Sequence, residues 1–357
     1  MHVEELKNEK EWETFLQASP KGTFFHSLKW KEVIEKSFSY PAIYLVVRDT
    51  NGAVVGVCPG FVLKSGPLKM YVSMPHSDYG GPVIDKNCIQ KASLSLRSFI
   101  KGFCSDRGIA YAKIRFTGDQ LGRFFQSPLG YVDTSTGTME IDLKVTPSDF
   151  IWDKIFKKKQ RKKFRHYERE GLHIRKATTK SDLIEFYNLY HCNMKHIHAR
   201  AHPYSFFENM WNQLFPENFL VLLVEEKKVI GGSASFKYGQ KIYETYAAIN
   251  RHWSNIRRYS VQPYVSWKLI KWAEENGFRY LSLGGTPSDP VEEYHSQKID
   301  VGGSFVQQER ISIPFSYNAQ FFLFGLKQVT SMWRTIGSYL PASFKNLMRV
   351  YAGEFLA

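Results

Sequence analysis

Four stretches concentrate side chains that can do chemistry. HCNMKHIHARAH (191–202) gathers His191, His196, His198 and His202. Imidazoles so close together can hold a transition metal, but no carboxylate completes a pattern such as HExxH. The segment should also leave its helix near residue 198, so no metal centre is expected. KKKQRKKFRHYER (157–169) is cationic. If it is helical, Arg161 and Arg165 stand one turn apart and can clamp a phosphate or carboxylate. The whole run can track RNA phosphates or an anionic membrane, or can simply be a solvated face. NRHWSNIRRYSVQPY (250–264) offers Arg251, Arg257 and Arg258 for phosphate contacts, and Ser260 as a helix cap. EEYHSQKID (292–300) sets Lys298 among Glu292, Glu293, His295 and Asp300, any of which can accept a proton.

Composition narrows the partners. The net charge of +14 attracts phosphates on nucleic acids, membrane surfaces or phosphorylated small molecules, and does not choose among them. Cys58, Cys88, Cys104 and Cys192 show neither CxxC nor Cys/His zinc spacing. The first twenty residues carry many charges and no long apolar run. The expectation is a cytoplasmic protein with reduced thiols. No apolar run approaches the roughly 20 residues that a membrane-spanning helix needs. Aromatic residues make up 15% of the chain, enough to line clefts for extended organic substrates as well as to fill cores.

The elements that would position these residues occur twice. Residues 11–38 read as one or two short helices. IYLVVRD (43–49) reads as a strand, AVVGVCPGFVLK (53–64) as its hairpin partner and LKMYVSM (68–74) as a third strand. A loop (75–82), a helix (88–107) closed by Gly108 and a strand (110–116) follow. The second half repeats the order: strands at 219–226, 227–239 and 241–249, a helix at 260–276 ended by Gly277, and a strand at 278–285. Gly56 corresponds to Gly231 and Gly108 to Gly277. With 357 residues, this period means two duplicated α/β domains rather than a solenoid. The expected boundaries are 1–148, 149–316 and a helical tail at 317–357. The second domain opens with the basic helix (151–171), whose stripe is Trp152, Phe156, Phe164 and Tyr167. Helices at about 181–198 and 204–214 follow.

The duplicated unit resembles the GNAT fold, and local patterns resemble its FemAB-like (BioF2-like) branch. These are SLKWKEVIEKSF, PHSDYGGPV, QRKKFRHYEREGLHI and GFRYLSLGGTPSD, followed by EYHSQKIDVGGSF. Their order and spacing cover about residues 10–310. The resemblance implies an α/β fold of two tandem GNAT-like domains and an N-acyltransferase. Relatives take an acyl group from aminoacyl-tRNA or acyl-CoA, and well-known ones extend peptide bridges on cell-wall precursors. It also implies that Lys298, before the Gly302-Gly303 turn, supports the reacting carbonyl or leaving group. Residues at acceptor-contacting positions are Lys36, His76, Asp78, Tyr79, Arg200, Tyr204 and Tyr246, and the Arg161–Arg165 pair is counted with them as substrate-binding. Gly284, Gly285 and Thr286 of the Leu-Gly-Gly strand end join this substrate-binding set.

Two departures bear on the donor. No long coiled-coil arm is evident, unlike the best-known tRNA-using relatives. The loop expected to cradle CoA pyrophosphate, 250–264, has no glycine, so phosphate cannot approach its backbone amides closely. Contacts from Arg257, Arg258 and Ser260 remain available, and tRNA or a noncanonical acyl donor is favoured. No tightly bound cofactor is expected, with acyl-CoA or aminoacyl-tRNA acting as a substrate. The acceptor would be an amine of a peptide, a sugar or a lipid-linked or nucleotide-linked cell-envelope precursor. The tail, with Phe321, Phe322, Phe324, Trp333 and Tyr339 among Lys327, Arg334, Lys345 and Arg349, can lie on an anionic bilayer or pack on the domains. The alternatives are an acyl-CoA-dependent N-acetyltransferase of a small molecule and a non-catalytic module that holds RNA or anionic lipid.

Overall fold

The computed structural model describes residues 1–65, 68–117, 121–128, 130–197, 199–250, 261–291, 293–315 and 319–320. Arg251, Arg257, Arg258, Ser260, His198, Glu292 and the tail beyond 320 lie outside the described residues. Two compact units form: Met1–Thr134 with the described part of Gln308–Ala357, and Ser135–Gln307. These divisions differ from the expected 148/149 and 316/317. Residues just after 134 form a strand of the second unit, and the chain re-enters the first unit at 308 as a strand.

The first unit contains β1 (His2–Glu5), α1 (Glu9–Ala18), α2 (Leu28–Phe38), β2 (Leu45–Arg48), β3 (Val54–Cys58), β4 (Phe61–Ser65), β5 (Leu68–Val72), β6 (Val83–Ile84), α3 (Ile89–Asp106), β7 (Tyr111–Thr117) and β8 (Tyr131–Asp133). The second contains β9 (Thr136–Asp142), α4 (Ser148–Phe150), a π-turn (Ile151–Ile155), α5 (Lys158–Arg169), β10 (His173–Lys176), α6 (Lys180–His196), α7 (Tyr204–Leu214), β11 (Phe219–Glu225), β12 (Val229–Tyr238), β13 (Lys241–Ile249), α8 (Val261–Glu275), β14 (Tyr280–Pro287) and α9 (Glu293–Ile299). The last strand, β15 (Ser304–Pro314), gives its first residues to unit 2 and the rest to unit 1.

In unit 1, β1, β2, β3 and β6 make one sheet, while β4, β5, β7 and the Gln308–Pro314 part of β15 make another. The stretch 53–64 is therefore two strands. Pro59 lacks an amide hydrogen for a ladder, and Gly60 lies under Tyr71, where a Cβ would fall 2.1 Å from Cζ. The apolar face of α3 (Ala92, Leu96, Ile100, Phe103) packs on Leu45, Val47, Ile114, Phe116 and Ile311. In unit 2 the strand order is β10-β11-β12-β13-β14-β9, followed by Ser304–Gln307. Helix α8 covers one face with Tyr264, Val265, Leu269 and Ile270 against Leu222, Ile242, Leu281 and Leu283. Helices α6 and α7 pack through Tyr190 and Phe207 on Tyr246 of β13. The duplicated device is present: Gly108 (φ 61°) and Gly277 (φ 78°) adopt the left-handed conformation just after α3 and α8.

The basic segment is not one helix. After the π-turn, Phe156 and Lys157 are extended, and α5 starts afresh at Lys158. Arg161 bends back so that Nη1 donates to the Trp152 and Asp153 carbonyls, 2.8 Å each, satisfying the end of the preceding turn. Phe164 and Tyr167 are buried against Tyr264, as the apolar stripe predicts.

Candidate active site

Two parallel strands that pair and then part define the candidate site. β13 and β14 are in register only at Lys241–Tyr280, Ile242–Leu281 and Tyr243–Ser282. Beyond this, each strand breaks its regular ladder. β13 shifts register against β12 between Ala234 and Ser235, and β14 shifts against β9 between Ser282 and Gly285. A bulge re-aims side chains by one residue. Glu244 therefore turns to α8, where its Oε2 accepts from Ser266 Oγ (3.4 Å). Tyr246, two residues on, packs instead with Tyr190, His202, Phe206 and Phe207.

In β14, the left-handed Gly284 (φ 76°) carries the bulge. The carbonyls of Gly284 and Gly285 accept from Lys298 Nζ, at 3.2 and 2.7 Å. Lys298 is 8% exposed. Its helix, α9, is closed by the Gly302-Gly303 turn. Gly303 N donates to the Lys298 carbonyl (3.0 Å), and a Cβ on Gly303 would fall 2.8 Å from that oxygen. His295 Nδ1 donates to the Pro287 carbonyl (2.7 Å) and tethers α9 to the end of β14. Thr286 is buried next to the bulge.

Glu244 is buried, and its Oε1 has no hydrogen-bond partner among the described residues. Burial pushes its carboxyl up to about 7, against the opposing pull of the Lys298 charge and the Ser266 hydroxyl. A carboxyl poised there exchanges protons at neutral pH, and the neighbouring ammonium can stabilise developing negative charge. Sequence reasoning missed Glu244. The available signal was a lone carboxylate inside an otherwise half-apolar strand, KIYETYAAI.

The structure brings Lys298, Gly284, Gly285 and Thr286 together. Arg200, Tyr204 and Tyr246 surround a second grouping, the aromatic cluster of α6, α7 and β13. There Tyr204 meets Tyr187 at 5.2 Å, and burial with the Arg200 charge holds His202 down to about 4. Arg165 stands over Trp152. Arg161 is engaged in capping rather than paired with Arg165 in a clamp. In unit 1, His76 (φ 56°) stacks on Phe38 at 4.1 Å, and Tyr79 stacks on Phe25 at 5.9 Å. The Asp78 carbonyl accepts from Gln308 Nε2. Lys36 is exposed on α2 and pairs with Glu32 at 3.5 Å. Of the proposed proton acceptors near Lys298, His295 is tied to Pro287 and Asp300 is exposed. Among the described residues, no group of three or more His, Cys, Asp or Glu could hold a metal ion.

The corresponding strands of unit 1 also pair over only three residues, Met70–Tyr111 to Val72–Lys113. There the gap is filled by backbone. Ser73 N donates to the Lys113 carbonyl (3.0 Å), Arg115 N donates to Ser73 Oγ (2.9 Å), and a Cβ on Gly81 would fall 1.8 Å from the Arg115 carbonyl oxygen. The two halves share a plan, but the parted strands carry the Glu244–Lys298 arrangement in unit 2.

Parted parallel strands, a bulged carboxylate strand and a following helix are the plan of the GNAT fold. Residues 155–295 match the family described as acetyltransferase (GNAT) domain. The match includes Glu244, Gly284 and Thr286 and ends just before Lys298. A comparison with curated proteins gave no match. Among solved structures, the chain is similar to FemX (TM-score 0.69, 15% identity, covering 91% of this chain and 99% of that one). It is also similar to L-PGS from Bacillus licheniformis (0.56, 9%, 92% and 98%). A third is the C-terminal domain of a putative lysylphosphatidylglycerol synthetase from Agrobacterium fabrum (0.56, 9%, 88% and 94%). At these identities the likeness is one of fold.

Proposed function

We propose that unit 2 transfers an aminoacyl group from aminoacyl-tRNA to an amine, with Glu244 as general base and Lys298 as the electrostatic support. The observation that carries this reading is the buried Glu244–Lys298 arrangement where β13 and β14 part. The amine nitrogen attacks the ester carbonyl carbon and Glu244 takes the proton that the nitrogen loses; the acyl C–O bond to the ribose then breaks, and that proton passes to the departing ribose oxygen. Lys298 and its bulge offset charge on the carbonyl oxygen or on the departing ribose hydroxyl. The donor is turned over as a substrate, with no resident cofactor.

Support for tRNA comes from α5, where Lys158, Lys159, Lys162, Arg165 and Arg169 are exposed together. A lysylphosphatidylglycerol synthetase, by its name, joins an amino acid to a lipid, and the likeness to the C-terminal domain of a putative one supports an aminoacyl group as the cargo. Within unit 2 the acceptor contacts are assigned to Arg200, Tyr204 and Tyr246. An acceptor attached to a cell-envelope precursor fits this set. Among the described residues no helix is long and apolar enough to cross a membrane. A second reading, acetyl transfer from acyl-CoA to a small-molecule amine, is favoured by the acetyltransferase family match over residues 155–295.

Incubating the protein with labelled aminoacyl-tRNA, acetyl-CoA and longer acyl-CoAs, together with peptide, sugar and lipid-linked amines, tests the proposal. Glu244-dependent amide formation from aminoacyl-tRNA supports it. Transfer from CoA esters alone replaces it with the second reading. Product formation that persists in Glu244→Gln and Lys298→Met refutes the site.

A further inference from the structure

Unit 1 contains a concentration of positive charge that the acyl-transfer reading does not use. Along β7, Ile114 and Phe116 point into the α3 core, so Lys113 and Arg115 point to the opposite face. Arg310 stands directly across from Arg115 on β15, and Ser312 across from Lys113. Like charges facing each other across a strand pair repel, and here they are also withdrawn from water. Lys113 is 8% exposed. With Val72, Ser73 and Met74, these three cations line a small cavity.

Two described carboxylates act on these cations, and Asp133 acts on Lys113 as well as on Arg310. Asp133 Oδ2 lies 4.0 Å from Arg310 Nη1, and Asp78 acts on Arg115 only through its charge. Arg115 Nη1 and Arg310 Nε are buried and have no hydrogen-bond partner among the described residues. Native proteins rarely leave guanidinium donors in that state. Burial, followed by the Arg310 and Arg115 charges, pulls Lys113 down to about 7. Burial with Arg310 pulls Arg115 down to about 9. Both directions fit cations gathered around space for a missing negative charge.

We propose that Lys113, Arg115 and Arg310 form an anion site that takes a phosphoryl group. Two guanidinium edges and an ammonium suit a group with several acceptor oxygens around one centre. The cavity is about the size of a single water molecule. A phosphoryl group therefore enters with one or two oxygens, and the rest of its ligand stays outside. Ser73 Oγ already accepts from Arg115 N, which fixes this strand edge against the cavity. The site is built from unit 1 residues alone, so the proposal stands whether or not unit 2 transfers an acyl group.

The test is thermal unfolding of the full chain with inorganic phosphate against sodium chloride at matched ionic strength, supported by calorimetric titration with phosphate. Wild-type protein should show a saturable phosphate-dependent rise in Tm that chloride does not reproduce. Arg115→Gln and Arg310→Gln should each weaken phosphate about tenfold or more, the loss expected for one charge-assisted hydrogen bond. Arg310→Lys keeps the charge but loses the fork and should fall between wild type and Arg310→Gln, which separates loss of binding from loss of folding. An equal response to chloride, or an unchanged phosphate response in both glutamine variants, overturns the proposal.

Discussion

Replacing Glu244 with glutamine should stabilise unit 2 and disable it at the same pH. Burial holds the Glu244 proton up to about pH 7, where the unfolded chain releases it near 4.5. At ~1.4 kcal/mol per pH unit, ionising this group in the folded state costs ~3 kcal/mol relative to the unfolded state. Below pH 4.5 both states hold the proton and there is no cost. Between 4.5 and 7 the unfolded chain binds fewer protons, so stability falls as pH rises; above 7 the cost is complete. Glutamine keeps the shape of the neutral acid and cannot ionise. In urea unfolding, the stability of Glu244→Gln relative to wild type should therefore improve by ~3 kcal/mol between pH 4 and pH 8. Over the same range, transfer should slow by about a hundredfold to ten-thousandfold, and the rising limb of its pH profile near 7 should vanish. A stability difference that is the same at both pH values, or a rising limb that survives in the variant, would show that Glu244 is a neutral packing residue and not the base.

Lys298→Met removes the charge that draws Glu244 downward, so the rising limb of any residual activity should move to higher pH. It also strands the Gly284 and Gly285 carbonyls, at a cost of about 1–3 kcal/mol; a limb that stays in place separates the two residues. In unit 1, burial holds His26 down to about 4 from 6.5, between the Thr23 hydroxyl and the Gly81 carbonyl. The unfolded chain takes up that proton first, so ~3 kcal/mol of unit 1 stability should be lost as pH falls from 6.5 to 4. Pulse proteolysis of His26→Gln against wild type across that window reads the difference as a flatter profile. Changing exposed Lys158 and Lys162 to glutamine should reduce the salt dependence of tRNA binding by a log–log slope of about one per residue; an unchanged slope removes α5 from the donor surface.

The sequence made the repeat and the lysine legible for local reasons. Gly108 and Gly277 stop helices by their own backbone freedom, and the Gly302-Gly303 turn marks the end of the helix that carries Lys298. The bulges were not legible. Glu244 and Tyr246 are two apart in a strand, so simple alternation assigns them to one face, and only pairing with β12 reveals the extra residue between them. The break of the basic segment at Phe156 was hidden because its charges and aromatic stripe suit a continuous helix; it depends on Arg161 reaching back to two carbonyls. Strand β10 and the Ser304–Pro314 strand escaped notice because their partners, β11, β7 and β9, are distant in sequence.

The late position of Gln308–Pro314 also sets a timetable for synthesis. Along β7, residues Tyr111–Thr117 depend on that strand as a ladder partner, and Ile114 and Phe116 lie opposite Ile311 and Glu309 in it. The partner is translated roughly 190 residues later, so at about 5–20 residues per second β7 waits on the order of 10–40 s with one edge open. An unpaired apolar edge is a template for joining another chain. The nascent protein is therefore most in need of chaperone cover while the whole of residues 135–307 is still being made, and messenger stalling in that interval should yield aggregates seeded by residues 111–117.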